Sequence, residues 1–375
     1  TIPMMKKLGY KPEFAGAVEA SASTGGQIMP PIMGAAAFLM AQFLGIKYTD
    51  VVKSAIIPAI LYFVGVFMGV HFEAKKLGLK GTPRDQLPKF SYILIQEGHL
   101  LLPLIAIIYL LVSGFSLQFV ALGSIIIAIV ASFFRKSTRI SLKDFFEALE
   151  KGARSALGVA TACATAGIIV GVVTKTGLGL KLASALIVIA SNLAVSIGGV
   201  IQSVRSFFYN LVGVTYSANP EMLISSLKII FTLFMAMLTS IILGMGVPTT
   251  ANYIITSTIA APALLLLSVK PIAAHMFVFY FGIIADITPP VALAAYAGAA
   301  IAKADPFKTG VTATRLSIGA FIVPYMFVLA PQLLLLGGSF WHIILSIITS
   351  IIGMTAVSAS LTGYFFKNLN SWQRV

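Results

Sequence analysis

Apolar residues in this chain come in long runs, and the lysines and arginines gather in the short loops between them. Runs close to the ~20 residues that cross a bilayer as a helix lie at about 51–70, 92–112, 117–134, 153–174, 314–336 and 341–363. Two longer stretches, about 13–45 and 272–303, each contain a proline pair: Gly25-Gly26-Gln27-Ile28-Met29-Pro30-Pro31 and Ile284-Ala285-Asp286-Ile287-Thr288-Pro289-Pro290. Proline removes a backbone donor and clashes with the preceding helical turn, so each pair predicts a discontinuous membrane helix. A third interruption, Gly244-Met245-Gly246-Val247-Pro248-Thr249-Thr250-Ala251-Asn252, divides about 227–268 and predicts a re-entrant hairpin. Non-helical backbone at that depth is tolerated only where protein buries it or it lines a cavity.

The two broken stretches resemble each other. At a shift of 259 residues Pro3 meets Pro262, Lys11-Pro12 meets Lys270-Pro271, Pro30-Pro31 meets Pro289-Pro290, and Ala35-Ala36 meets Ala294-Ala295. Coincident prolines and a coincident lysine point to an internal repeat, and interrupted helices in matching positions of two halves mark a transporter's binding site. A partner for the break at 244–252 would fall before Thr1, so the sequence reads as a fragment lacking part of the first repeat. The division expected is an incomplete first repeat with scaffold helices at 1–175, an arm or connector at 176–226, a second repeat at 227–335, and a last span with its tail at 336–375.

Composition agrees with a membrane chain: 58% of residues are hydrophobic, 10% are charged, and the mean hydropathy is +0.97. The fold class expected is an all-α polytopic integral membrane protein with an inverted repeat, one re-entrant hairpin and two broken helices. The net charge of +14 sits between apolar runs, where it orients spans in the bilayer, so nucleic acid is set aside as a partner. Lys6, Lys7 and Lys11, then Lys75, Lys76, Lys80, Arg84 and Lys89, then Arg135 to Arg154, fall on one side if the spans are counted in order. Residues 141–149 alternate charge and apolarity at helical spacing, as an interfacial helix would. Treating 178–226 as an arm, rather than as another span, makes the two broken helices cross in opposite directions. The lone Cys163 and four scattered histidines offer no disulfide, metal cluster or nucleophile–base pair, which argues against an enzyme.

An unwound helix frees carbonyl oxygens and exposes helix ends near the midplane, a setting suited to a small hard cation or an anionic group. The candidate cation ligands are Ser23, Thr24 and Gln27 with the carbonyls of Gly25 and Gly26, and Thr249, Thr250, Asp286 and Thr288 with the carbonyls of Gly244 and Gly246. Asp286 stands out because a carboxylate in an apolar membrane stretch is unfavourable by ~3 kcal/mol or more; the bland alternative is a helix cap. Candidates for the substrate site are Pro30, Pro31, Asn252, Pro289, Pro290, Thr165 and Lys175, although small residues such as those around Thr165 also serve close packing, and Lys175 also reads as a snorkelling lysine. Glu19 is a further candidate, and His275 reads as interfacial.

With Thr1-Ile2-Pro3-Met4-Met5-Lys6-Lys7-Leu8-Gly9-Tyr10, Ser23-Thr24-Gly25-Gly26-Gln27-Ile28-Met29-Pro30-Pro31, Leu243 to Thr250, and Ala285 to Leu293, the chain resembles the DctM-like large membrane subunit of tripartite ATP-independent periplasmic (TRAP) transporters. It resembles especially the fused permeases that work with TAXI-type solute receptors. The resemblance implies uptake of organic acids coupled to Na⁺ or H⁺, with no other metal or cofactor. The solute would come from a periplasmic receptor, and the permease would act with a small membrane subunit, fused or separate, in a bacterial or archaeal cytoplasmic membrane. It also implies an elevator mechanism, with 244–252 matching the outward hairpin tip and 23–31 and 285–290 the breaks that complete the ion sites. The alternative is a channel or a membrane transporter of another kind.

Overall fold

The computed structural model describes residues 1–31, 33–81, 89–211 and 220–374. Ile32 beside the first proline pair, Arg84 of the second basic loop, and Ser217, Ala218 and Asn219 before Pro220 lie outside the described residues. The described chain is helical throughout, with no strand. Its helices are α1 Ile2–Lys7, α2 Pro12–Gly26, α3 Ala35–Leu44, α4 Tyr48–Lys76, α5 Phe90–Glu97, α6 Leu102–Val112, α7 Leu117–Ser132, α8 Leu142–Thr176 and α9 Leu178–Leu211. They continue with α10 Pro220–Gly244, α11 Thr249–Ile259, α12 Ala261–Leu265, α13 Pro271–Ile284, α14 Leu293–Ala302, α15 Pro306–Leu316, α16 Ile318–Leu329 and α17 Phe340–Thr362. Among the described residues seven helical stretches are long and apolar enough to cross a membrane, so the chain is a polytopic membrane protein.

Both proline-pair stretches are broken where expected. Lys11 and Lys270 stand just outside helices whose first residue is proline, where the missing N–H is not needed. Helix is then absent over 27–31 and 33–34, and is replaced over 285–292 by a short 3₁₀ turn and irregular chain. Helices starting at Ile2, Pro12, Ala35 and Tyr48 are followed 258 or 259 residues later by helices starting at Ala261, Pro271, Leu293 and Pro306. The spacing seen in the prolines thus extends to the starts of these helices.

The core is built around α13, in which every residue from Ile272 to Ile284 is buried. A helix apolar on all sides is an interior one, and α10, α11, α3 and α16 pack about it. The first broken helix lies antiparallel to the second. Its leading half, α2, packs on the trailing half of the other, α14, while α3 packs on α13. Gly16 and Gly298 make the closest approach: a Cβ on Gly298 would stand 2.6 Å from the Gly16 carbonyl oxygen. Nearby, Lys6 Nζ donates to the Ala302 carbonyl at 2.7 Å, tying the start of one copy to the end of the other.

Several boundaries differ from the sequence reading. The expected interfacial helix and the span after it form one continuous helix, α8, because the Ser141 hydroxyl and Asp144 cap its first turn reciprocally and nothing breaks it before Gly177. The span expected at 314 begins at Pro306, capped by Asp305, and turns at Ser317. The span at 92–112 is interrupted by a 3₁₀ turn at Gly98–Leu101. Residues 178–206, expected within an arm, are helical and by length and apolarity sufficient to cross. This helix leaves Gly179 beside the Thr258 carbonyl and brings Gly198 against Ile224 and Leu227 at the start of α10.

The Gly16–Gly298 contact gives a test. Gly298→Leu should destabilise the purified protein by ~1–3 kcal/mol through overpacking, lowering its thermal midpoint. Gly171→Leu, where an added Cβ meets nothing, should leave the midpoint near that of the parent; equal losses in both variants would show that the close approach is not there.

Candidate functional site

The hairpin tip between α10 and α11 meets both helix breaks. The Thr249 hydroxyl donates to Gln27 Oε1 at 2.6 Å across 222 residues of sequence. Gly246, at a φ of +73° that suits glycine, lies within van der Waals reach of Val291. Gly244 packs on Ala285, with 3.1 Å from an added Cβ to the Ala285 methyl. One end of a hairpin and two unwound segments therefore share a small volume.

Backbone groups freed by the breaks are held partly by other backbone groups and partly by side chains. Tyr48 donates its hydroxyl to the Pro31 carbonyl at 2.9 Å and Tyr296 donates to the Pro290 carbonyl at 2.7 Å. These carbonyls are equivalent at the 259-residue shift, yet the two tyrosines come from different elements. The Gly34 amide donates to the Gln27 carbonyl at 2.8 Å, and Thr314 donates to the Ile287 carbonyl at 3.2 Å. The Pro30–Pro31 and Pro289–Pro290 peptide bonds are both cis. Just before the first break, Tyr62 donates to the Ser21 carbonyl at 2.6 Å and lies 3.3 Å from the Ser317 hydroxyl, while its ring closes over Gly25.

Oxygen atoms remain without donors. Asn252, 1% exposed, donates through Nδ2 to the Gly282 carbonyl at 2.7 Å, but its buried Oδ1 accepts nothing. Asp286 is half-buried in the 3₁₀ turn after α13. It does not cap α14, whose first turn receives no side-chain bond, and its carboxylate has no hydrogen-bond or ion-pair partner among the described residues. The capping explanation for Asp286 is thereby removed. Ser23 is exposed and Gly26 faces open space, whereas Thr24 and Gly25 are buried. Thr288 turns its hydroxyl back to the Ile284 carbonyl at 2.8 Å.

A cavity of about 700 Å³ adjoins the tip, within the range of small-molecule sites. Thr250, Gln42, Lys47, Tyr48 and Cys163 contribute to its wall, with the α6–α7 turn opposite. Thr249 and Thr250 thus divide their tasks: one bonds the first break and the other faces the cavity. Thr165 and Lys175 are not brought to this place. Thr165 is exposed and bonds the Thr161 carbonyl, and Lys175 is exposed in the last turn of α8. The reason is helical phase, since α8 meets α11 through Ala166 and Val173, which leaves Cys163 toward the cavity. Glu19 is half-buried on α2.

Sequence reasoning missed the tyrosines. Tyr48, Tyr62 and Tyr253 are buried, and Tyr253 bonds His275 Nδ1 at 2.7 Å. His275, expected at the interface, is 9% exposed and joins the hairpin to α13. The placement of an aromatic residue well inside α11 and α13, away from the span ends where aromatic belts form, was the available signal.

Together the broken helices and the hairpin that meets them belong to an all-α polytopic membrane protein. The family model of the tripartite ATP-independent periplasmic transporter, DctM component, matches residues 1–342, and the chain belongs to that family. It is therefore a membrane subunit of a TRAP transporter. Members of this family work with a periplasmic solute receptor and a small membrane subunit, and the family is a transporter component rather than an enzyme family. No curated protein matches the chain significantly.

A double-mutant cycle tests the link between tip and break. Gln27→Ala and Thr249→Val should each lower stability, and the double variant should lose less than their sum by ~0.5–1.5 kcal/mol. Strict additivity in the thermal midpoints would mean that the two side chains do not meet.

Proposed function

We propose that this permease imports organic acids, delivered by a periplasmic receptor, in symport with a small cation, and that Na⁺ is the coupling ion. The observation that carries the reading is the meeting of the hairpin tip with both helix breaks, fixed by the Thr249–Gln27 bond. Carbonyl, amide and carboxylate oxygens suit a hard cation, and two of those gathered here, Asn252 Oδ1 and the Asp286 carboxylate, lack a donor. Burying an acceptor without a partner is unfavourable by ~1–3 kcal/mol, so an arriving cation would relieve it. One cation would sit by Gly25, Gly26, Gln27 and Thr249, a second by Gly244, Gly246, Asn252, Asp286 and Thr288.

The substrate would lie in the cavity beside Thr250, with Lys47 offering charge to a carboxylate. Antiparallel packing of the broken helices supports an inverted repeat, with halves at 1–175 and 227–335. Moving the hairpin and both broken helices as one block against the remaining helices gives an elevator. A receptor of the TAXI type, a fused small subunit and a bacterial or archaeal cytoplasmic membrane complete the proposal.

The test is uptake of labelled organic acids into proteoliposomes holding the full-length permease, its small subunit and its receptor, with and without a Na⁺ gradient. Uptake should require the gradient, and Asp286→Asn should lower the gradient-driven rate by about tenfold or more while inserting normally. Gradient-independent conductance would instead indicate a channel, and unchanged Na⁺ dependence in the variant would remove Asp286 from the coupling site.

A further inference from the structure

A second cavity, about 750 Å³, lies away from the breaks, between the first turn of α2, the last turns of α4 and α17, and α15. Its wall carries Lys11, Lys76, Lys308 and Arg315 against Glu13 and Glu73. Lys76 is engaged, donating to the Thr362 carbonyl at 2.8 Å and standing 4.0 Å from Glu73. The side chains of Lys11, Lys308 and Arg315 have no hydrogen-bond or ion-pair partner among the described residues, and neither has Glu13. Three unengaged cations therefore face one unengaged carboxylate around a single hollow. A wall with that surplus repels its own members until an anion enters.

The fold assembles this hollow from distant parts of the chain. Lys6 reaches the end of α14 and Lys76 reaches the end of α17, so the basic ends of α1 and α4 meet the C-terminal ends of α14 and α17. By the positive-inside rule these ends are cytoplasmic. Apolar side chains share the cavity: Phe14 is half-buried, and Phe307 and Leu361 are 60% and 42% exposed at the same helix ends. A small soluble anion would leave Phe307 and Leu361 in water. An amphiphile covers them with its acyl chains while its phosphate meets the cations, and basic pockets between helices on the cytoplasmic side are suited to such headgroups.

We infer that this cavity is a binding site for an anionic phospholipid, the phosphate held by Lys11, Lys308 and Arg315 and the acyl chains lying on Phe307 and Leu361. The site uses residues on α2 and α15 together with residues on α4 and α17, so an occupant touches four helices at one end. The inference rests on the chain's position in the membrane and not on what it transports, so a failed uptake assay leaves it standing.

The experiment uses the purified full-length permease, stripped of lipid in detergent and titrated separately with phosphatidylglycerol, phosphatidylcholine, glycerol phosphate and a dicarboxylate. Thermal midpoint and the number of retained lipids by native mass spectrometry are the readouts. Phosphatidylglycerol should raise the midpoint and remain bound, and the other three should do neither at equal concentration. Lys308→Ala with Arg315→Ala should weaken the phosphatidylglycerol effect by about tenfold, whereas Lys308→Arg with Arg315→Lys and the distant Lys367→Ala should preserve it. Equal stabilisation by phosphatidylcholine, or an undiminished effect in the alanine pair, overturns the inference. Glycerol phosphate or the dicarboxylate matching phosphatidylglycerol would also overturn it, making the cavity a site for a soluble anion. Should the alanine pair fail to fold, the comparison of the two lipids on the parent protein decides alone.

Discussion

Backbone amides and carbonyls that leave a helix inside a bilayer have no water to bond, and each one left bare is unfavourable by several kcal/mol. Among the described residues the two proline-pair stretches and the hairpin leave helix at 27–31, 33–34, 285–292 and 245–248, and the remainder of the architecture answers that demand. Tyr48 and Tyr296 bond the equivalent prolyl carbonyls, Thr314 bonds Ile287, and Gly34 folds back on Gln27. Beside them α13, buried from Ile272 to Ile284, forms the centre of the core. The breaks are thus partly covered by protein, and among the side-chain oxygens that accept no bond, Asn252 Oδ1 and the Asp286 carboxylate belong to the hairpin and the second break themselves.

Close packing makes that cover possible. Gly16 against Gly298, Gly25 under the ring of Tyr62, and Gly244 and Gly282 on either side of Asn252 each bring backbone to distances that a side chain would prevent. Without a hydrophobic drive between helices in lipid, such small-residue contacts are what association depends on. The antiparallel arrangement follows from which halves touch, α2 with α14 and α3 with α13, and it puts the two breaks at a common level. The hairpin then has a place to end, between Gln27 and Ala285.

Much of this was legible in the residues. A proline pair in an apolar run has few structural outcomes, so both breaks and the glycine-rich tip were located to within a few residues. The repeat, seen in prolines, reappears in element starts. Less visible were features decided by tertiary contact. The Tyr62–Ser317 approach joins residues 255 apart, and no local pattern announces it. Helical phase on α8 depends on which face α11 covers, so Cys163 lines the cavity and Thr165 and Lys175 do not. Residues 178–206 are apolar enough for a span and also pack along α10, and composition cannot separate a crossing helix from one lying along its neighbour.

The central claim is that the tip of the hairpin closes on the first break within the membrane. Cysteines at Gln27 and Thr249, introduced into a Cys163→Ser background, test it most directly through disulfide formation in native membranes under mild oxidation. The account predicts rapid and nearly complete cross-linking of this pair, altered by Na⁺, and none between Thr249→Cys and a cysteine at Lys175. Failure of the first pair to cross-link in the folded protein, or equal cross-linking of the second, would contradict it.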